Sequence, residues 1–198
     1  MKIIKTNCIV LKKKEMKEAD LLVMLFSKDF GKIMATAYGI RKSKKRDIVS
    51  LNPLNEIEIT LLQKNNYYVV KDVEIIKNFK NILKNIEKLE ISLYILDSID
   101  KIYDEVVENE RFFLKLINIL NYINEAINLK RGYKYYIVVA FLHRIMTEHG
   151  IYEISEVKSL LKKELFLEYK KILALNKDLN FQKKVEEHKK NLKKIVII

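Results

Sequence analysis

Residues 56–62 (EIEITLL) alternate strictly, with Ile57, Ile59 and Leu61 on one side and Glu56, Glu58 and Thr60 on the other. A period of two predicts a strand with one buried face. Similar runs occur across the first 80 residues. Residues 6–11 are β-rich and are followed by the charged KKKEMKEAD; residues 21–27 (LLVMLFS) lead into the turn signal Lys28-Asp29-Phe30-Gly31. Residues 32–38 (KIMATAY) predict a third strand, and Asn65-Asn66 marks a turn before a fifth at 67–76 (YYVVKDVEII). Pro53, the only proline, falls between strands, where it costs no ladder hydrogen bond.

Past residue 79 the period becomes 3.6. Ile82, Ile86, Leu89, Leu93, Leu96, Ile99, Ile102, Tyr103 and Val106 line one stripe of a long helix. Phe112, Phe113, Leu116, Ile117, Leu120, Ile123 and Ile127 line a second, and residues 128–132 form a break. Residues 133–148 are apolar nearly all round, as in a helix buried on several sides; Ser155 is a plausible N-cap, and 181–198 is a basic amphipathic stretch.

Five short strands predict a small closed barrel, because an open sheet of that size leaves bare edges and an uncovered apolar face. The fold class expected is α+β: an N-terminal five-stranded OB-fold barrel over 1–79, then an all-α domain over 80–198. On strand count alone an SH3-like barrel fits almost as well.

Charge sharpens this picture. The chain of 198 residues carries a net +12, and its richness in Lys, Ile and Asn could reflect base composition, so distribution matters more than the total. Residues 1–80 hold 17 basic and 9 acidic residues, whereas the longer remainder holds 21 and 17. Five of the six residues from Arg41 to Arg46 are cationic (Arg41, Lys42, Lys44, Lys45, Arg46) and follow a strand closed by Gly39. Such crowding is relieved by a polyanionic partner, and a solvated surface loop is the competing reading. Lys12, Lys13 and Lys14 could border the same surface, or simply end a strand in solvent. Tyr38, Tyr67 and Tyr68 could stack on bases, although alternation sends Tyr67 and Tyr68 to opposite faces, and a barrel tyrosine more often packs in a core.

No catalytic set is evident. His143 and His149 are six residues apart and so lie on different helix faces; the four glycines form no phosphate loop; Asp97, Asp100 and Asp104 read as a solvated helix face. Cys8 is the only cysteine, so an internal disulfide or a multi-cysteine zinc site is not expected. No signal-like run precedes Lys12, and the longest apolar run, 135–142, is too short for a membrane span; a cytoplasmic protein is expected, neither enzyme nor metalloprotein.

One set of elements in the first 80 residues resembles the RecO family of DNA repair and recombination mediators. It comprises Ile9-Val10-Leu11-Lys12, Glu18-Ala19-Asp20, Leu25-Phe26, Gly31-Lys32, Ala37-Tyr38-Gly39-Ile40-Arg41-Lys42 and Leu51-Asn52-Pro53-Leu54. A weaker echo lies at Glu186-Glu187-His188 and Leu192-Lys193. The resemblance implies an OB-fold and a helical domain that bind single- and double-stranded DNA and anneal complementary strands in a nucleoid-associated setting. It also implies RecR and the acidic tail of the single-strand-binding protein SSB as partners, and the loading of RecA as the outcome. Carried over by position, the run after Gly39 is a phosphate clamp. The tail's best match combines Lys130, Arg131, Lys134 and Arg144 with an apolar helix, a pattern that also suits a core helix with snorkelling cations. Many members carry a four-cysteine zinc element after the helix that ends here near Gly150; residues 151–166 contain no cysteine. The rival classes are an RNA-binding or ribosome-binding barrel and a purely protein-binding adaptor.

Overall fold

The computed structural model describes residues 1–43, 48–65, 67–102, 110–127 and 141. Five strands, β1 (Lys2–Met16), β2 (Asp20–Ser27), β3 (Gly31–Ala37), β4 (Glu56–Lys64) and β5 (Tyr67–Lys77), close into a barrel in the order β1-β2-β3-β5-β4. All pairings are antiparallel except β3 with β5, a short parallel contact through Ala35↔Tyr68 and Thr36↔Val69. Pairing β3 with β5 instead of β4 gives the Greek-key order of an OB-fold.

Alternation decides what fills the barrel. Cys8, Val10, Val23, Leu25, Ile33, Ala35, Ile57, Ile59 and Leu61 share one buried cluster, and Ile40 and Leu51 from the β3–β4 connection join it. Burial pushes the Cys8 thiol well above its ordinary range, which keeps it a protonated apolar filler. At the β2–β3 turn Ser27 Oγ lies 2.9 Å from Thr6 Oγ1 and accepts the Asp29 and Phe30 amides at 3.2 Å each.

β1 is longer than its apolar run predicts. It continues through Lys12–Lys14 because a bulge between Val10 and Lys12 resets the register. The bulge is pinned across the barrel: the Val10 amide donates to Asn55 O and the Leu54 amide to Val10 O, both at 3.0 Å.

The long helix predicted from residue 82 is instead two, α1 (Lys80–Leu83) and α2 (Ile86–Ile102), followed by α3 (Glu110–Glu125). Asn85 makes the break: its side chain accepts the Lys88 amide at 3.1 Å and so caps α2. Ile86 and Leu93, both expected in the buried stripe, are exposed, while Ile91 and Ile95 are fully buried. Ile127 lies beyond the end of α3 and is exposed. Asp100 is not on a solvated face: its carboxylate pairs with Lys32 Nζ at 3.0 Å, both side chains being largely buried.

Met1–Lys80 and Ile99–Ile117 form one compact unit, and Asn81–Ser98 belongs to a second with the chain from Asn118 onward. Within the first unit, Phe112 of α3 meets Phe26 of β2 edge-on, with ring centroids 5.2 Å apart and planes at 84°. No helix among the described residues is long and apolar enough to cross a membrane. The helix expected at 133–148, the cap at Ser155, the tail at 181–198, the three histidines, Tyr103, Asp104 and Val106 lie outside the described residues.

Candidate nucleic-acid interface

The outer face of β1–β2–β3 consists of three cross-strand rows, fixed by the register: Ile9–Phe26–Lys32, Lys12–Met24–Met34 and Lys14–Leu22–Thr36. The first row is covered. Phe112 sits on Phe26, Lys32 pairs with Asp100 and donates to its backbone carbonyl, and Lys28 pairs with Glu110 at 3.1 Å. The other two rows are open, with Lys12, Lys14 and Met34 exposed and Met24, Leu22 and Thr36 half-buried. A shallow apolar floor edged by ammonium groups results, open toward the β1–β2 hairpin and the turn after β3. Tyr38, half exposed, stands at that end, and Tyr67, also half exposed, opens β5. Tyr68 is turned against the core, as alternation requires.

The start of the cation-rich turn is anchored through its backbone. Gly39 adopts φ +64°, a left-handed conformation that reverses the chain directly into a 3-10 turn over Ile40–Lys42. Its amide donates to Asp20 Oδ1 at 2.8 Å, and the Arg41 amide donates to Ala19 O at 3.1 Å. With Ile40 buried in the core, the backbone is anchored and Arg41 and Lys42 project from a fixed base. The hairpin β1–β2 and this turn therefore share one end of the barrel.

Structure and sequence differ on how the lysine run is used. Lys12 and Lys14 join the outer face, but Lys13 pairs with Val23 and points to the barrel mouth, where its ammonium donates to Asn52 Oδ1 at 2.5 Å. Lys44, Lys45 and Arg46, like Lys130, Arg131, Lys134 and Arg144, lie outside the described residues. Sequence reasoning did not single out Met24, Met34 and Leu22; their pairing with Lys12 and Lys14 assigns them outward. It also missed Glu15 and Glu18, which approach Arg41 and Lys42.

The barrel is electrically two-sided. On the far face, Lys5 pairs with Glu58 at 2.6 Å, and this hydrogen bond raises the Lys5 pKa above its ordinary value. Asp72 and Glu74 flank that pair, Asp72 in the Lys5–Thr60 row and Glu74 in the Glu58 row. Acids offset the cations there, whereas the open rows of β1–β2–β3 present lysines alone.

Residues 1–79, the extent of the barrel, match the family model described as recombination protein O, N-terminal. The barrel belongs to the RecO family. The DNA repair protein RecO of Thermoanaerobacter sp. (strain X514) is 35% identical over 125 residues, covering 63% of this chain and 50% of that protein. That of Caldanaerobacter subterraneus subsp. tengcongensis is 34% identical over 113 residues, covering 57% and 46%. That of Clostridium novyi (strain NT) is 29% identical over 131 residues, covering 66% and 51%. The chain spans about half the length of the curated relatives it matches. In this RecO barrel the family-like segments Glu18-Ala19-Asp20 and Tyr38-Gly39-Ile40-Arg41-Lys42 meet in space, joined by the Asp20–Gly39 and Ala19–Arg41 hydrogen bonds.

Proposed function

We propose that this chain acts in DNA repair and recombination as a mediator that binds single- and double-stranded DNA and anneals complementary strands. With RecR it helps load RecA onto DNA coated by SSB, whose acidic tail it engages. The observation that carries the reading is the location of the open lysine-edged rows on the barrel that matches the RecO family, beside the turn bearing Arg41 and Lys42. Ammonium and guanidinium groups neutralise backbone phosphates, and a sequence-tolerant apolar floor accepts the faces of unstacked bases. Lys12, Lys14, Arg41, Lys42, Lys44, Lys45 and Arg46 are the phosphate contacts in this account. Tyr38 supplies a stacking surface, and Lys13 acts indirectly by fixing the barrel mouth. Nothing in the reading requires covalent chemistry: the work is charge neutralisation that lets two strands approach.

The test is annealing of complementary oligonucleotides, one of them fluorescently labelled, each coated with SSB. Addition of the chain should accelerate pairing of the coated strands. No acceleration, together with tighter binding to RNA than to DNA of the same sequence, would overturn the reading in favour of an RNA-binding barrel. Loss of all nucleic-acid binding would leave a protein adaptor.

A further inference from the structure

The two described cations of the turn are each met by a carboxylate. Arg41 Nη1 lies 3.0 Å from Glu15 Oε2, and Lys42 Nζ lies 2.8 Å from Glu18 Oε2. Both acids come from the β1–β2 hairpin, Glu15 from the end of β1 and Glu18 from the turn. Arg41 Nη1 also reaches Lys17 O at 3.5 Å. The acids are far more exposed than the groups they meet: the side chain of Glu15 is 70% exposed against 31% for Arg41, and that of Glu18 88% against 66% for Lys42.

This asymmetry matters for what can replace what. A carboxylate offers a guanidinium or ammonium the same kind of oxygen acceptor that a phosphate offers. An exposed carboxylate on a hairpin loses little by being released into water, because exposed ion pairs are individually weak. Arg41 is held by its buried neighbour Ile40 and by the Ala19 hydrogen bond, so it stays while its partner leaves. We infer that Glu15 and Glu18 are tethered phosphate mimics, occupying Arg41 and Lys42 until the phosphates of a nucleic-acid backbone displace them, and thereby setting the affinity of the site. The inference rests on the nucleic-acid reading of this turn. It assigns the acids a specific role: they hold the cations paired when no strand is bound, and they make binding an exchange of anions in place of a simple attraction.

The experiment is fluorescence anisotropy with a labelled 30-nucleotide oligothymidylate at one fixed, low salt concentration, using the full chain. Five proteins are compared: the native chain, Glu15→Gln with Glu18→Gln, Asp72→Asn with Glu74→Gln, Arg41→Ala with Lys42→Ala, and the last combined with Glu15→Gln and Glu18→Gln. The second and third change the net charge equally, but Asp72 and Glu74 lie on the exposed outer face of β5. Removing two exposed pairs is expected to tighten binding roughly three- to tenfold, while the control pair changes it less than twofold. In the Arg41→Ala, Lys42→Ala background the glutamine substitutions should have no further effect. Equal tightening by both acid-removing variants would overturn the inference, since it would reduce the effect to net charge. So would no tightening while the alanine variant binds more weakly, and there the nucleic-acid reading survives alone. If the alanine variant binds as the native chain does, both readings of the turn fail together.

Discussion

Replacing Phe112 by Ala tests how the barrel's outer face is divided into a covered row and two open ones. Phe112 is 1% exposed and its ring stands edge-on to that of Phe26, itself fully buried, at a centroid distance of 5.2 Å. Truncating a buried Phe to Ala removes its transfer free energy and leaves a cavity, at a cost of about 3–5 kcal/mol, which already includes the aromatic pair. Two features place this site at the lower end. Arg111 and Leu114 beside it are exposed, so the start of α3 can relax inward, and Ala is the better helix former. The expected loss is about 3 kcal/mol, a large share of the roughly 5–15 kcal/mol typical of a folded domain. Leu114→Ala, on the same helical turn but half exposed, should cost about 0.5 kcal/mol or less. Urea unfolding followed by far-UV circular dichroism and tyrosine fluorescence reads both, since the chain has eleven tyrosines and no tryptophan. Equal midpoints for Phe112→Ala and Leu114→Ala would show that α3 does not cover Phe26, and the first outer row would then be open as well.

Two further outcomes follow from backbone and charge. Gly39→Ala should destabilise by about 1–2 kcal/mol through its positive φ alone, because nothing beyond its immediate chain neighbours lies within 4 Å of the added Cβ, and Gly39→Asn should cost less; thermal midpoints of the two variants check the order. Glu56 is pushed above its ordinary value by burial, with Lys77 partly opposing, so the folded chain favours its protonated form. The stability this contributes is present below the ordinary Glu pKa and is lost as pH rises through the raised one. Glu56→Gln should therefore raise the midpoint at pH 7, and the gain should vanish in acid; a gain independent of pH refutes the assignment.

Much of the barrel is legible because a closed sheet leaves alternation little freedom: Ile57, Ile59 and Leu61 could only face inward, and they do. The end of β1 is not legible in the same way. A run of lysines after an apolar stretch looks like a loop, yet the bulge at Val10/Lys12 carries the strand on, with Lys12 and Lys14 outward and Lys13 toward the mouth. No local signal in KKKEM distinguishes the two, because the bulge is pinned by Leu54 and Asn55, some forty residues away. The break before α2 did have a signal, Asn85 with Glu87 in the following turn, but Ile82 and Ile86 fit a continuous stripe and concealed it. Asp100 illustrates the limit of periodicity. Spacing places it among surface acids, whereas its partner Lys32 belongs to a strand 68 residues away. The basic turn itself was visible as composition; its acidic counterparts at Glu15 and Glu18 were not, because they become neighbours only once β1, β2 and β3 pair.

The central claim, that the cations of β1 and of the turn after Gly39 contact nucleic-acid phosphates, is tested most directly by the salt dependence of affinity. Log affinity for a labelled single strand, measured against log salt, should fall by about 0.7 per phosphate contact. The combined alanine variant of Arg41, Lys42, Lys44, Lys45 and Arg46 should flatten that slope as well as weaken binding, and Lys12→Ala with Lys14→Ala should flatten it further. A slope unchanged from the native chain in both variants contradicts the account and moves the contacts off this face of the barrel.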